Sequence, residues 1–143
     1  MEINVKKLRE EAKLPTAGTE YAAGYDLYAV EDTVIPAGDS KPIHTGLSMA
    51  IPKWYAGYIF ARSGLARKEH LRPSNCVGVI DPDYRGEIIV DLFNDTDQQK
   101  VVSKGERVAQ IVFLERQISK FTEVSELTAT SRGEGGFGST GMN

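Results

Sequence analysis

Residues Cys76-Val-Gly-Val-Ile-Asp-Pro-Asp-Tyr-Arg-Gly-Glu-Ile-Ile-Val-Asp-Leu-Phe93 combine two apolar runs with a polar turn between them. The turn, Asp81 to Gly86, contains the Pro, Asp and Gly residues that favour tight backbone reversal. The runs on either side have the composition and length of strands. This stretch therefore predicts a β-hairpin and an antiparallel, β-rich fold.

The same pattern of short strands and turns continues on both sides of the predicted hairpin. Many short strands at spacings of roughly 8–12 residues indicate an antiparallel sandwich or barrel. No stretch sustains helical periodicity for three turns, and one short helix is predicted at Ser63–Lys68 with Ser63 as its N-cap. The further strand candidates are 3–8, 25–30, 33–35, 43–51, 55–61, 107–114 and 120–124.

The composition excludes several classes of function. The chain has 143 residues, which fits one ordinary domain, and its 41% hydrophobic and 26% charged residues are typical of globular proteins. The net charge of −3 argues against a general nucleic-acid or membrane-surface binder, because such proteins need a positive field. Cys76 is the single cysteine, and His44 and His70 are the only histidines, which excludes an intrachain disulfide and a Cys- or His-rich metal cluster.

No apolar run approaches the ~20 residues of a membrane span. The charged start, Met1–Lys13, is not typical of a signal peptide, so a cytoplasmic location is expected.

The C-terminal segment 128–143 differs from the rest. Five glycines crowd into positions 133–141, and the segment has too few large apolar side chains to form core. We therefore predict a β-domain over 1–127 and a flexible glycine-rich arm over 128–143. The spacing from Gly133 to Gly138 approaches that of a Walker A loop, but the lysine after Gly138 is absent, which disfavours a P-loop NTPase. Either the arm is a plain flexible tail, or it contacts a nucleotide through a cation, a stacking ring and two hydroxyls, namely Arg132, Phe137, Ser139 and Thr140.

Four positions outside the arm are candidates for chemistry, each with a plainer alternative. Arg62 before Ser63-Gly64 could bind an anion or be an ordinary surface arginine near a helix start. Asp81, at the end of an apolar run, could be a general base or a turn aspartate. Asp26 could support Mg²⁺ through water or be an exposed strand residue. Gln110 interrupts an apolar strand and needs hydrogen-bond partners, which backbone groups could also supply.

Taken together, five segments resemble the motifs of the homotrimeric deoxyuridine triphosphatases (dUTPases) in content and order, from Ala23 to Gly141. The resemblance implies a jelly-roll subunit, a distorted antiparallel β-barrel of the beta-clip type, in a three-fold trimer with active sites between subunits. It implies hydrolysis of dUTP to dUMP and pyrophosphate with Mg²⁺, which removes dUTP from the nucleotide pool and supplies dUMP for dTMP synthesis. The segments are Ala-Gly-Tyr-Asp-Leu (23–27), Arg-Ser-Gly-Leu (62–65), Gly-Val-Ile-Asp-Pro-Asp-Tyr-Arg-Gly (78–86), Arg-Val-Ala-Gln (107–110) and Arg-Gly-Glu-Gly-Gly-Phe-Gly-Ser-Thr-Gly (132–141).

The same resemblance implies a role for each matched residue. Asp81 would be the general base for water attacking the α-phosphorus, and Asp26 would support Mg²⁺ through water. Tyr84 would pack under deoxyribose and exclude a 2′-hydroxyl. Uracil would be bound by Asn75 together with Gly78, Val79 and Ile80, and would stack under Phe137. Gln110 would contact a phosphate or a water, and the phosphates would be bound by Arg62, Ser63, Gly64, Arg132, Gly138, Ser139 and Thr140.

Three other interpretations remain at this stage. A deoxycytidine triphosphate deaminase, bifunctional or not, would share the barrel but needs an acid that activates water at the base. A dUTP-responsive regulator would bind a protein partner when its arm is ordered. A jelly roll without any ligand would require all five matches to be accidental.

Overall fold

Antiparallel strands form nearly all the regular structure of the chain. The computed structural model describes residues 1–136. The one helix in that range, α1, has six residues, and no helix there is long and apolar enough to cross a membrane. The elements are β1 (Asn4–Lys7), β2 (Thr16–Ala17), β3 (Tyr25–Tyr28), β4 (Thr33–Ile35), β5 (Ser40–His44), β6 (Leu47–Ala50), β7 (Tyr55–Phe60), α1 (Ser63–Lys68), β8 (Leu71–Pro73), β9 (Gly78–Ile80), β10 (Ile89–Asn94), β11 (Lys100–Val102) and β12 (Arg107–Glu115).

The strands form four antiparallel sheets around one core. The largest has the order β2-β3-β12-β7-β9, and a second has the order β5-β10-β8. Two strand pairs, β1-β6 and β11-β4, complete the arrangement. The predicted all-β fold with at most one short helix is confirmed.

Strand alternation places the core. In β10 the side chains of Val90, Leu92 and Asn94 are buried while those between them are more exposed, as expected for a strand with one covered face. Asn94 is fully buried because its amide donates to three backbone carbonyls and its oxygen accepts two hydrogen bonds from Thr96. The largest apolar side chains with no more than 2% exposure are Leu27, Ile35, Ile43, Leu47, Met49, Ile88, Leu92 and Ile111.

The predicted hairpin is wrong in its pairing. The two strands form at Gly78–Ile80 and Ile89–Asn94, but β9 pairs with β7 at the edge of the large sheet, while β10 lies between β5 and β8. Both edges of β10 are already paired, so β9 cannot join it. The connection instead crosses from one sheet to the other and carries Asp81 to Ile88.

Three local predictions also require correction. The predicted strand 43–51 is divided by Gly46, whose φ of +68° turns the chain between β5 and β6. Residues 120–124 form no strand, because Phe121 is 94% exposed and the described part of the chain offers this segment no strand to pair with. Ser63 is the first helical residue rather than the cap; Arg62 occupies the cap position in extended backbone and makes no side-chain cap hydrogen bond.

Candidate functional site

Three neighbouring strands of the large sheet, β3, β12 and β7, bring Asp26, Arg62 and Gln110 together. Asp26 on β3 lies directly opposite Gln110 on β12, and Arg62 follows β7, the other neighbour of β12. Arg62 Nε donates to Asp26 Oδ1 at 2.7 Å, with side-chain exposures of 24% and 13%. Gln110 Nε2 donates to the carbonyl of Ala61 at 3.0 Å. Asp26 is therefore a largely buried partner of a cation rather than a free surface carboxylate.

Arg107 joins this cluster, although the sequence interpretation assigned it no role. The pairing of β12 with β3 shifts register between Arg107 and Ala109, a bulge of the kind that redirects side chains. Arg107 NH1 lies 3.3 Å from Asp26 Oδ2, and the Arg107 carbonyl accepts a hydrogen bond from Arg62 NH1 at 3.3 Å. The sequence held one indication of a role for Arg107, which is the first residue of the Arg-Val-Ala-Gln motif (107–110) that ends with Gln110.

Gly24 leaves the space that Gln110 occupies. A Cβ added at this position would lie 2.6 Å from Gln110 Oε1 and 3.3 Å from Val112 Cγ2. The glycine of the Ala23–Leu27 segment is thus required by close packing against β12. The close approach of Gly24 to Gln110 thus positions the glutamine that the sequence analysis selected.

The cluster borders a pocket that suits an anion. This pocket has a volume of about 430 Å³, and its lining includes three cations, Arg62, Arg107 and Lys68, and two carboxylates, Glu69 and Glu106. Gly64, at the start of α1, also lines it, and an added Cβ there would meet no atom within 4 Å. Guanidinium groups with a planar set of donors suit phosphate oxygens.

A second cavity lies at the edge strand β9. It has a volume of about 180 Å³ and is bounded by Val79, Ile80, Asp81 and Tyr84, with Glu87 and Ile89 completing its lining. Because β9 ends its sheet, part of its backbone N–H and C=O groups have no strand partner among the described residues. Such groups can read the polar edge of a flat ring, which makes this cavity a candidate nucleobase and sugar site.

Asn75 stands beside this edge strand. It is exposed in the turn between β8 and β9, where Cys76 has a φ of +63°. A Cβ built on Gly78 would lie 3.6 Å from Asn75 Nδ2, so the amide is next to the first residue of β9. The structure thus places Asn75, Gly78, Val79, Ile80, Asp81 and Tyr84 along one short stretch of surface.

Glu87 anchors the loop that carries Asp81 and Tyr84. One carboxylate oxygen shares a hydrogen bond with His44 Nδ1 at 2.9 Å, and the other accepts from the Gly46 N–H at 2.8 Å. Burial opposes ionisation of Glu87, but these hydrogen bonds outweigh it and hold the pKa of the carboxyl below its ordinary value of 4.5. The loop is thereby attached to the β5-β6 turn, and Tyr84 O–H donates to the Glu87 carbonyl at 3.1 Å.

Within residues 1–136 the two clusters remain separate. The pocket around Arg62 and the cavity around Asp81 share no lining residue. Arg132 is exposed and donates to the carbonyl of Gly135 at 2.9 Å, apart from both clusters in the contacts described. The predicted arm residues Phe137, Gly138, Ser139 and Thr140 lie outside the described residues.

The residues fit a metal that contacts the protein indirectly. Among residues 1–136, no group of three or more His, Cys, Asp or Glu side chains could hold a metal ion. Asp26 accepts one hydrogen bond on each oxygen, which leaves lone pairs for water molecules. Mg²⁺ keeps several waters and is commonly held by substrate phosphates, so this carboxylate suits contact through water.

Comparison with known proteins identifies relatives over nearly the whole chain. Residues 10–141 match the family model described as dUTPase. The deoxyuridine 5'-triphosphate nucleotidohydrolase of Nautilia profundicola is 45% identical over 141 residues, covering 99% of each chain. The dUTPase of Staphylococcus bacteriophage 80alpha, solved with dUPNHPP, has a TM-score of 0.91 and 28% identity over 99% of each chain.

A second similar structure supports the fold alone. It is the D95N mutant dUTPase of phage phi11 of S. aureus, in which a structural Mg(II) ion is coordinated. Its TM-score is 0.81 at 23% identity, over 88% of this chain and 98% of that one. With these neighbours, the four sheets described above are a jelly-roll fold, as the sequence predicted.

Proposed function

This chain belongs to the dUTPase family, and on that premise we propose that it hydrolyses dUTP to dUMP and pyrophosphate at a site built from the two clusters described above. The reaction removes dUTP from the nucleotide pool and supplies dUMP for dTMP synthesis. The observation that carries the residue assignments is that the two clusters offer different chemical groups. A carboxylate and a ring-sized cavity lie at β9, and two half-buried or exposed guanidinium groups lie at Asp26.

A homotrimer joins the two clusters. The β9 cavity and the Arg62 pocket of one subunit share no lining residue, so the site is complete when the β9 edge of one subunit faces the Arg62 pocket of another. The arm 128–143 then closes over the nucleotide. Its Arg132, Ser139 and Thr140 bind the γ-phosphate, Gly138 allows close backbone approach, and Phe137 stacks on uracil.

Asp81 acts on the water. Its carboxylate orients a water molecule and takes one proton from it, while the water oxygen forms a bond to the α-phosphorus. The bond between the α-phosphorus and the bridging oxygen breaks, and pyrophosphate leaves with that oxygen. Since little covalent chemistry falls to the protein, positioning and charge stabilisation supply most of the rate.

The β9 edge determines which nucleotide binds. Asn75 and the free backbone groups of Gly78–Ile80 hydrogen-bond the polar edge of uracil. Tyr84 packs under the deoxyribose and leaves no room for a 2′-hydroxyl. A wall that excludes an added hydroxyl by contact discriminates best when it cannot move. Hydrogen bonds of Glu87 and Tyr84 hold the loop 81–88, which carries this wall, in place.

Arg62 and its neighbours bind the phosphates. The guanidinium is held by Asp26, so that its remaining N–H groups point in a restricted set of directions. Ser63 and Gly64 add a hydroxyl and unhindered backbone, and Gln110 contacts a phosphate or a bound water. Asp26 would support Mg²⁺ through water, and the ion would offset negative charge on the triphosphate. A cytoplasmic location stays a prediction from the sequence.

The decisive experiment measures pyrophosphate release in the presence of Mg²⁺ from dUTP, dCTP, dTTP and UTP, with ammonia followed in parallel. Selective release from dUTP without ammonia is expected. Ammonia from dCTP would favour the deaminase. Binding of dUTP without any release would favour a nucleotide-sensing regulator.

A further inference from the structure

Gly86 follows Tyr84 and Arg85 in the loop that joins the two sheets, and it is in close contact with the tyrosine ring. A Cβ built on Gly86 would lie 2.5 Å from Tyr84 Cζ and 2.9 Å from Cε2, and closer still to the hydroxyl oxygen. Real Cβ atoms do not approach neighbours this closely. The phenol ring therefore occupies the space that any side chain at position 86 would need.

The glycine is not required by its backbone angle. Positive φ values among the described glycines occur at Gly38, Gly46, Gly105 and Gly133, and Gly86 is not one of them. Gly86 therefore does not have the left-handed backbone that favours glycine, and contact with the Tyr84 ring is what opposes a side chain at 86.

The backbone on both sides of Gly86 is held in place. Before it, Arg85 NH1 donates to the carbonyls of Pro82 and Tyr84 at 2.7 and 2.8 Å, and the Arg85 carbonyl accepts from Ser48 Oγ at 2.8 Å. After it, the Ile88 N–H donates to the Leu47 carbonyl at 2.7 Å. An added methyl group at 86 is therefore accommodated by the side chain of Tyr84 and not by the loop backbone.

The tyrosine ring is partly exposed, and one hydrogen bond among residues 1–136 holds its hydroxyl. Tyr84 is 43% exposed, and its hydroxyl donates to the Glu87 carbonyl at 3.1 Å. Displacement of the ring breaks that bond and moves a wall of the 180 Å³ cavity. The orientation of this wall thus depends on the absence of a side chain at residue 86.

We propose that Gly86 is a positioning residue for sugar selectivity: by leaving its own Cβ position empty, it seats the Tyr84 ring where the ring excludes a 2′-hydroxyl. The inference rests on the proposed function, since Tyr84 must face the sugar for its position to matter. Gly86 acts through the position of the Tyr84 ring and not through contact with the nucleotide.

The test is a double-mutant cycle on selectivity. The ratio of kcat/KM for dUTP to kcat/KM for UTP is measured for the native chain, Gly86→Ala, Tyr84→Ala and the double variant. Gly86→Ala should lower the ratio by about tenfold or more, at the low end of discrimination by one small group. In the Tyr84→Ala background, Gly86→Ala should change the ratio by less than about twofold, because the ring is already gone.

Gly18→Ala is the matched control. Gly18 has nothing within 4 Å of an added Cβ and no positive φ, so the same substitution there should leave the ratio unchanged. An unchanged ratio in Gly86→Ala overturns the inference, as does an equal drop in the Tyr84→Ala background. A native chain that releases no pyrophosphate from dUTP refutes the proposed function and the inference with it; an active native chain with an insensitive ratio refutes the inference alone.

Folding of the variants gives a second readout. If Gly86→Ala does not fold, removal of the ring in the double variant should restore the urea midpoint of Tyr84→Ala. Failure of the double variant to fold would show that the loop backbone needs glycine, which overturns the role assigned to the ring.

Discussion

Replacement of Asp26 by asparagine tests the centre of the phosphate-binding cluster. The substitution keeps the size of the side chain and one carbonyl oxygen, and it removes the negative charge between two guanidinium groups. Arg62 Nε lies 2.7 Å from Asp26 Oδ1, and both side chains are largely buried. Arg107 lies 3.3 Å from Oδ2 and is 52% exposed.

The expected cost follows from these two contacts. A hydrogen bond to a charged group contributes about 1.5–3 kcal/mol, and a charge-assisted bond is roughly twice as strong as a neutral one. Asparagine can still accept a hydrogen bond from the Arg62 cation, but the attraction between opposite charges is lost, so that contact loses about 1–2 kcal/mol. The exposed contact with Arg107 adds little, because solvent screens it. The free energy of unfolding should therefore fall by about 1–2 kcal/mol.

The same change should weaken substrate binding. With a weaker partner on Nε, Arg62 is free to leave the orientation that directs its other N–H groups toward the phosphates. A rise in KM for dUTP by about tenfold, equivalent to about 1.4 kcal/mol, is expected, with a smaller change in kcat.

Urea unfolding at a fixed protein concentration and steady-state kinetics measure the two effects, since oligomer stability depends on concentration. Asp97→Asn is the control, because Asp97 is exposed in a polar loop and makes no ion pair in the described structure. Unchanged stability and unchanged KM in Asp26→Asn, together with the same result in the control, would refute the assignment of Asp26 as the residue that orients Arg62.

Three further predictions concern the base, the arm and the anchored loop. Asp81→Asn should keep dUTP binding and lower kcat by about 10²–10⁴-fold, the range for a lost general base, while Asp83→Asn in the same turn should not; near-native turnover in Asp81→Asn would remove Asp81 as the base. Deletion of 132–143 should leave the urea midpoint unchanged and lower turnover by about a hundredfold, the scale for loss of a donor to the transition state; full activity would show that the arm takes no part. Because the pKa of Glu87 is lowered in the folded state, its stabilising contribution is present above about pH 4.5 and is lost as pH falls through the folded-state pKa. Glu87→Gln should therefore flatten the stability profile below about pH 4.5 relative to the native chain and to the surface control Glu20→Gln, and a superimposable profile would contradict the role of the carboxylate.

Local patterns in the sequence predicted the fold class and the order of the motifs. Alternation and turn residues act over a few neighbours, so β3, β4, β7, β10 and β12 could be anticipated near their observed positions. The strands β2, β8 and β11, of two or three residues, were missed because so few residues carry no periodicity, whereas the equally short β4 was marked by the turn residues Pro36-Ala-Gly38 that follow it.

The residues of the candidate site likewise fall into those that the sequence identified and those that only the structure revealed. The motif residues Asp26, Arg62, Asp81 and Tyr84 could be selected from sequence, because residue type and order carry the resemblance. The role of Arg107 could not, because it depends on a bulge in β12 and on a neighbour 81 residues away. Gly86 was only part of a quoted motif until the ring that fills its Cβ position was seen.

The amino-acid sequence by itself determined an all-β chain, its glycine-rich arm and the five segments that identify its family, because these properties reside in short stretches of side chains. Tertiary structure alone decided that β9 and β10 join different sheets, that Asp26 pairs with two arginines, and that Asp81 lines a different pocket from Arg62 and Arg107. The physical reason is that a strand's backbone donors and acceptors can pair with any free edge. The choice among edges is made by burial of the whole core, which no local stretch of sequence contains.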